Sequence, residues 1–266
     1  MKRFTLPLCV LITSFCAGMA AAALQPTGTV YTGTGQMRGN LRWLNSAKEY
    51  RVSDGKREAS FKADDVERVE VDRPAALAQA IKRVQTNQGL AAAIASLEEV
   101  VKAYGHLTYD LEAARWLAAA YLQQGNAAKA VSTCETIIRD NPEAAYKGEM
   151  AVSYWEALIK DGKASKLNLL LDKAIASGDS EAAASALVKR GDAIMARGSS
   201  RANCEEALRE GYLRVILLYA DPQSDAYAEA LYKGAKAFDG MSQGSRANKL
   251  RETLKRDCAS SVWARK

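Results

Sequence analysis

The sequence predicts a mainly α protein, a helical-repeat solenoid preceded by a small N-terminal β domain. Two patterns lead to this prediction. From residue 75 onward, apolar residues recur every three or four positions, as in amphipathic helices, and Gly residues interrupt the pattern. Between residues 29 and 71, short runs of β-branched and aromatic residues end at Gly, Asn or Asp-Gly turns, which is typical of strands. We therefore divide the chain into 1–23, 24–74 and 75–266.

The first segment, 1–23, has the three parts of a secretory signal peptide. Two basic residues at positions 2 and 3 precede an apolar run over 6–15, and small residues follow over 17–23. The apolar run is shorter than a membrane-spanning helix requires, and a retained anchor is the alternative. We expect cleavage after Ala22 or Ala23, and a mature protein in the periplasm or at the cell surface with no integral membrane segment.

The second segment, 24–74, contains five candidate strands. We predict them at 29–32, 37–43, 49–52, 59–62 and 66–71. Short strands with tight turns imply a small, strongly bent sheet or barrel. The pattern resembles an SH3-like or Sm-like barrel through Gly39, an aromatic strand, Tyr50-x-Val52, Phe61 and Asp65-Val66-Glu67-x-Val69.

The resemblance of this segment to small barrels implies a possible binding role. Some exported barrels of this kind bind cell-wall or peptide ligands, which would make Trp43 and Tyr50 the aromatic binding residues. The alternative is that both rings form the core of a domain that has few other large side chains.

The stretch from Leu111 to Pro142 has the spacing of a helix-turn-helix unit. Ala118 and Ala130 are small residues where two helices would cross closely, and Gly125 falls at the turn between them. Pro142 lacks the N–H that a further helical turn would need. The remaining landmarks are the apolar residues Leu117, Tyr121 and Ile137. The spacing resembles a tetratricopeptide repeat (TPR), and one such unit needs neighbours to bury its apolar face.

Four further helix pairs are predicted around this unit. They span 75–104, 143–176, 181–222 and 226–255, and the pair over 143–176 fits the repeat least well. Gly191 and Gly234 take the small positions in the last two pairs. The tail from Tyr227 to Trp263 resembles the last repeat of bacterial periplasmic TPR proteins, the group that includes the Tol-Pal coordinator and the outer-membrane assembly lipoprotein. That resemblance implies a scaffold of the cell envelope.

The candidate binding residues lie on the first helix of each pair, because in such repeats the first helices line a groove. These positions are Glu112, Arg115, Ala119 and Leu122, then Val188, Asp192 and Met195, and finally Leu231, Ala235 and Phe238. A groove that mixes Arg, acidic and apolar side chains suits an extended peptide or a partner helix. The alternative is that some of these side chains pack against the next repeat.

The sequence predicts no enzyme, no cofactor and no metal site. His106 is the only histidine, and a lone histidine offers neither a catalytic triad nor a metal cluster. The formal charge of +6 is spread along the chain, and predicted export argues against a nucleic-acid partner. We expect Cys134 to be buried as a free thiol, and a bridge between Cys204 and Cys258 is an open alternative.

Two functions therefore remain open. The favoured one is an exported, non-enzymatic scaffold that binds a protein or peptide partner through the TPR-like groove. The other is a cell-wall or glycan-binding module in which the β domain reads the ligand and the helices act as a spacer. Retention of residues 24–73 alone by purified peptidoglycan would favour the second function.

Removal of the leader is the first testable expectation. Because the charged start, the short apolar run and the small residues occur together, we expect the exported protein to lack residues 1–22 or 1–23. Intact-mass measurement of the protein recovered from the envelope checks this. A mature mass that still includes residues 1–20 would show that the segment is retained.

Overall fold

The computed structural model describes residues 24–266. The predicted leader, 1–23, lies outside the described residues. The described chain is mainly helical and begins with an antiparallel sheet, which confirms these two parts of the predicted fold.

The sheet contains five strands in the spatial order β4-β3-β2-β1-β5. The strands are β1 (Thr27–Thr32), β2 (Gly35–Leu44), β3 (Glu49–Ser53), β4 (Glu58–Lys62) and β5 (Val66–Val71). Consecutive strands from β1 to β4 form hairpins, a 3₁₀ turn at Ala63–Asp65 follows, and β5 returns to pair with β1. The five predicted strands are confirmed to within two residues at each end.

The long strand β2 changes partner at Asn40. Its first half pairs with β1 and its second half pairs with β3, so that Asn40 lies opposite both Thr27 and Ser53. The inner face of the sheet buries Val30, Leu41 and Val52, which belong to the same apolar core as the first helices. The sheet is therefore packed onto the helical part of the chain.

The helices follow the sheet without further strands in the described chain. They are α1 (Ala75–Gln85), α2 (Leu90–Ala103), α3 (Asp110–Gln123), α4 (Ala127–Ile138), α5 (Gly148–Lys160), α6 (Ala164–Ile175), α7 (Ser180–Met195), α8 (Arg201–Ala207), α9 (Leu213–Leu218), α10 (Asp225–Gly240) and α11 (Gly244–Asp257). A π-helical turn at Leu208–Tyr212 joins α8 to α9, so these two act as one helix.

The helices pack as successive hairpins. α1 packs with α2, α3 with α4, α6 with α5 and α7, α7 with the α8–α9 segment, and α10 with α11. The first helices also contact one another in chain order, α1 with α3, α3 with α5, α5 with α7 and α7 with α10. Each hairpin thus buries its apolar face against its neighbours, as repeats require.

The landmarks of the central repeat lie where the sequence places them. Ala118 and Ala130 are fully buried between helices. Gly125 follows α3 with a φ of 77°, a left-handed conformation that Gly adopts without a steric cost at a helix end. Asn126 then caps α4, because its side-chain oxygen accepts from the Lys129 N–H at 3.1 Å.

The predicted helix over 143–160 begins later than expected. Residues Pro142–Ala145 form a 3₁₀ turn instead, and α5 begins at Gly148, whose φ of 74° breaks a regular helix. The Trp155 indole N–H donates to the Ala145 carbonyl at 3.0 Å and ties this turn to α5. The sequence pattern could not locate this start, because Ala and Glu suit a helix equally well.

Two observations concern burial. In α9, which lies in the predicted pair over 181–222, Leu217 and Leu218 are exposed while Val215 is buried. Cys134, Cys204 and Cys258 are all buried free thiols, so the prediction for Cys134 is confirmed and the Cys204–Cys258 bridge is not formed.

A close helix approach lies between α7 and the π-helical turn. A Cβ on Gly191 would lie 2.5 Å from Cε1 of Tyr212, and a Cβ on Gly211 would lie 2.7 Å from the Gly191 nitrogen. The Tyr212 ring is buried and its hydroxyl donates to Asp192 at 2.9 Å, so the ring cannot move aside easily. Two glycines are therefore needed where these backbones meet.

Substitution of Gly191 tests this packing. Gly→Ala in a helix normally adds about 1 kcal/mol of stability, but we expect Gly191→Ala to lower the free energy of unfolding by about 1–3 kcal/mol because the methyl group overlaps the Tyr212 ring. Gly244→Ala at the start of α11 is the matched control, since a Cβ there meets no atom within 4 Å. If urea unfolding shows that both substitutions change the free energy of unfolding in the same direction, the proposed contact is contradicted.

Candidate interaction surface

Six of the predicted groove residues remain partly exposed on the first helices, and we call this set the inward face. They are Glu112, Arg115, Ala119, Leu122, Asp192 and Met195. Arg115 forms an ion pair with Glu149 at the start of α5, and Glu112 accepts from Arg73 at 2.6 Å. Burial lowers the pKa of the Arg115 guanidinium, and the Glu112 carboxylate opposes that effect. The α3 part of the inward face therefore already links three elements of the fold.

The remaining four predicted groove residues are buried, so their assignment to an open groove is wrong. Leu231 packs with Tyr227 and Leu254, and Phe238 belongs to the core cluster around Cys204. Val188 and Ala235 are buried as well. The reason is that α10 is covered by α7 and α8 as well as by α11, which leaves little of its surface open.

A buried charge cluster joins α5, α7 and α10. Its centre is Lys189, which is only 3% exposed. The Lys189 ammonium donates to Glu156 of α5 at 2.5 Å and lies 3.5 Å from Glu229 of α10 and 3.6 Å from Asp192. Lys233 of α10 donates to Asp192 at 2.6 Å and to Glu229 at 2.5 Å. Two cations thus bridge three carboxylates across three first helices.

The electrostatics of the charge cluster favour the charged form of Lys189. Burial works against the ammonium, but Glu156, Glu229 and Asp192 outweigh it and raise the pKa of Lys189. Burial also raises the pKa of Tyr212, and the adjacent Asp192 carboxylate adds to the effect. The Asp192 carboxylate thus accepts hydrogen bonds from both Tyr212 and Lys233.

Sequence reasoning missed most of the charge cluster. Glu229 and Lys233 are spaced by four residues, and Lys189 and Asp192 by three, so the pairs within each helix could have been found. The contacts between helices could not, because Lys189 meets Glu156 and Glu229 only after three hairpins have packed. The same packing brings Asp192, a predicted site residue, into a structural role.

The alternative site residues, Trp43 and Tyr50, lie side by side on the sheet and are half-buried. Their ring centroids are 4.7 Å apart, and the Trp43 ring is also 5.6 Å from the His106 ring. His106 has a φ of 61° in the turn before α3, and its Nε2 lies 3.6 Å from Oδ2 of Asp140. His106 therefore contacts both the sheet and the end of α4.

A cavity of about 800 Å³ adjoins Trp43 where the sheet meets the end of α2. We call it the junction cavity. Its walls include Arg42 and Arg51 from the sheet and Glu99 and Lys102 from α2. The volume falls within the range of ligand sites, and the wall combines an aromatic ring with charged groups.

Two classes of site have no support in the described residues. No three His, Cys, Asp or Glu residues in 24–266 are grouped so that they could hold a metal ion. None of the helices found within that range is long and apolar enough to cross a membrane.

Substitution of Lys189 tests whether the charge cluster holds the first helices together. Lys189→Met keeps most of the side-chain volume but leaves three carboxylates with one cation, so we expect a loss of about 3–5 kcal/mol in the free energy of unfolding. Lys166→Met is the matched control, because Lys166 contacts Glu135 at 2.6 Å but is half exposed, and we expect a loss within about 1 kcal/mol. If urea unfolding gives equal losses in the free energy of unfolding for the two variants, burial of Lys189 does not add to the stability of the fold.

Comparison with known families finds a match within the helical part of the chain. The tetratricopeptide repeat family model matches residues 88–151, which include the repeat predicted over 111–142. There is no significant match to a curated protein or to a solved structure. The chain therefore contains TPR-like helical repeats, and repeats of this family generally mediate protein–protein interaction.

Proposed function

We propose that the protein is an exported, non-enzymatic scaffold of the cell envelope that binds a protein or peptide segment along the inward face. The observation that carries this proposal is the TPR match over 88–151. Arg115 and Leu122, two of the partly exposed residues of the inward face on α3, lie inside that match. An arginine beside an apolar side chain suits an extended peptide, because Arg is enriched among residues that dominate binding energy.

The packing of the helices supports the solenoid arrangement. The first helices contact one another in chain order from α1 to α10, and each hairpin meets mainly its neighbours. In a solenoid of this kind the row of first helices forms the concave side. The inward face would then be the floor of a groove.

Export and the envelope role rest on the sequence. The leader pattern over 1–23 supports secretion, and the tail over 227–263 resembles the last repeat of periplasmic TPR proteins. On these grounds we propose that the protein lies in the periplasm or at the cell surface. We also propose that it is similar in role to the group of the Tol-Pal coordinator and the outer-membrane assembly lipoprotein.

One observation favours the second candidate function, a cell-wall or glycan-binding β domain. Trp43, whose ring packs beside that of Tyr50, lines the junction cavity, and an aromatic ring beside polar groups suits a sugar ligand. The strand order and the 3₁₀ turn before β5 support an SH3-like assignment for this sheet. Conversely, Trp43 also packs against His106, as expected of a ring with a structural role.

Site-specific photocrosslinking tests the favoured function. We expect a photoreactive phenylalanine at position 122 on α3 to form adducts with a partner in cells that express the protein. The same residue at position 169 on α6 should form few, although Leu169 is 70% exposed and Leu122 is half-buried. Arg115→Ala should reduce the adduct at position 122 several-fold, which corresponds to about 1–2 kcal/mol of binding energy.

The control separates specific binding from simple accessibility. If crosslinking followed exposure alone, position 169 would react more strongly than position 122. Adducts of equal or greater intensity at position 169 would therefore contradict binding on the inward face. Thermal unfolding of the Arg115→Ala variant must remain close to that of the parent protein for the comparison to hold.

A further inference from the structure

The junction cavity is one end of a longer surface. A second cavity of about 460 Å³ shares Lys102 and Gly105 with it, and a third of about 500 Å³ shares Thr108, Leu111 and Asn141 with the second. Together they run from the sheet, past the α2–α3 turn, to the space between α3 and the start of α5. We call this continuous surface the trough.

The trough leads into the inward face. Glu112 and Arg115 line its third cavity, together with Glu149 from the start of α5. Leu111 lies where the second and third cavities meet and is 38% exposed, so it offers an apolar contact in the middle of the trough. A long surface of this kind, with an exposed leucine near its middle, suits an extended chain better than a compact ligand.

The sheet end of the trough carries cations that are free to bind. Arg42 and Lys102 have no carboxylate within 4.0 Å in residues 24–266, whereas Arg51 lies 3.0 Å from Glu58. Three cationic and two acidic side chains line the junction cavity. This end therefore favours an acidic partner group.

One N–H donor at the same end lacks an acceptor. Nε1 of Trp43 is buried without a hydrogen-bond partner among the described residues, whereas Nε of Arg51 lies 3.0 Å from Oε1 of Glu58. A buried donor is normally paired. The unpaired indole N–H therefore adds a second reason to expect an oxygen-rich ligand group at this end.

The opposite end of the trough is acidic. Leaving aside the shared Lys102, the second and third cavities are lined by five carboxylate side chains and two cationic ones. Glu143 is exposed, and the side chain of Glu149 is 79% exposed despite its contact with Arg115. This end favours a basic partner group.

We propose that the trough binds an extended segment of a partner protein that has acidic side chains at one end, an apolar side chain in its middle and basic side chains at the other end. The acidic end lies against Arg42 and Lys102, the apolar side chain contacts Leu111, and the basic end lies against Glu143 and Glu149. This inference rests on the proposed function as a peptide-binding scaffold, and it adds the path and the charge order of the segment. It makes the sheet and the repeats two halves of one site.

Synthetic peptides test the charge order directly. The probes are fluorescein-labelled peptides of about twelve residues, which span roughly 40 Å when extended. One has an acidic block, a central Leu and a basic block, and a second has the blocks in reverse order, because either chain direction is allowed. A third has the same composition with acidic and basic residues alternating. At low salt, we expect one block peptide to bind at least tenfold more tightly than the alternating peptide.

Charge reversal at both ends locates the binding. The double variant Arg42→Glu, Lys102→Glu should lower the affinity for the tighter-binding block peptide at least tenfold. The double variant Glu143→Lys, Glu149→Lys should lower it to a similar extent. The matched control is Lys249→Glu combined with Lys255→Glu on the exposed surface of α11, which should change the affinity less than twofold. Because the two variant pairs lie on different elements, misfolding of one leaves the other as a test.

The outcomes distinguish this inference from the function on which it rests. If the alternating peptide binds as tightly as both block peptides, or if the control pair weakens binding as much as the trough variants, the charge order is wrong. Adducts at position 122 would then still support the scaffold function. If peptidoglycan sediments the full-length protein and neither block peptide binds, the junction cavity belongs to a glycan site and the proposed segment is overturned.

Discussion

The side-by-side packing of the first helices is the contact on which the rest of the structure depends. A single helix pair cannot bury its apolar face, so every pair needs the next one. Within the pairs, small residues allow the two helices to approach closely: Ala118 and Ala130 are fully buried, and Gly191 meets Tyr212 with no room for a Cβ. The packing of the first helices brings α5, α7 and α10 near enough for Lys189 to contact Glu156 and Glu229.

Local patterns in the sequence predicted most of the elements and fewer of the contacts. The five strands and the landmarks of the central repeat depend on residue spacing within one element, and spacing is visible in a sequence. The burial of Leu231 and Phe238 depends on how much of α10 its neighbours cover, and that is a property of the assembled hairpins. The late start of α5 likewise depends on a tertiary hydrogen bond from Trp155.

The sheet and the helices are more closely joined than the change in sequence pattern at residue 74 suggests. Val30 and Leu41 share one apolar core with Leu77 of α1, and Arg73 reaches Glu112 of α3. Trp43 contacts His106, which in turn lies near Asp140 at the end of α4. Movement of the sheet would therefore disturb the first two repeats, and a ligand at the junction cavity would contact both parts of the chain.

The distribution of paired and unpaired charges differs between the two halves of the described chain. In the C-terminal half, Lys189 and Lys233 neutralise most of the carboxylate charge around them, so a partner would have to replace contacts that are already made. In the N-terminal half, Arg42 and Lys102 have no such contact within the described chain, and Leu111 and Leu122 remain partly exposed. A charged side chain without a partner gains more from a new ion pair than one that must first break an old pair. We therefore expect a partner to bind where the sheet meets the first repeats, and we expect the C-terminal charge cluster to hold α5, α7 and α10 in register.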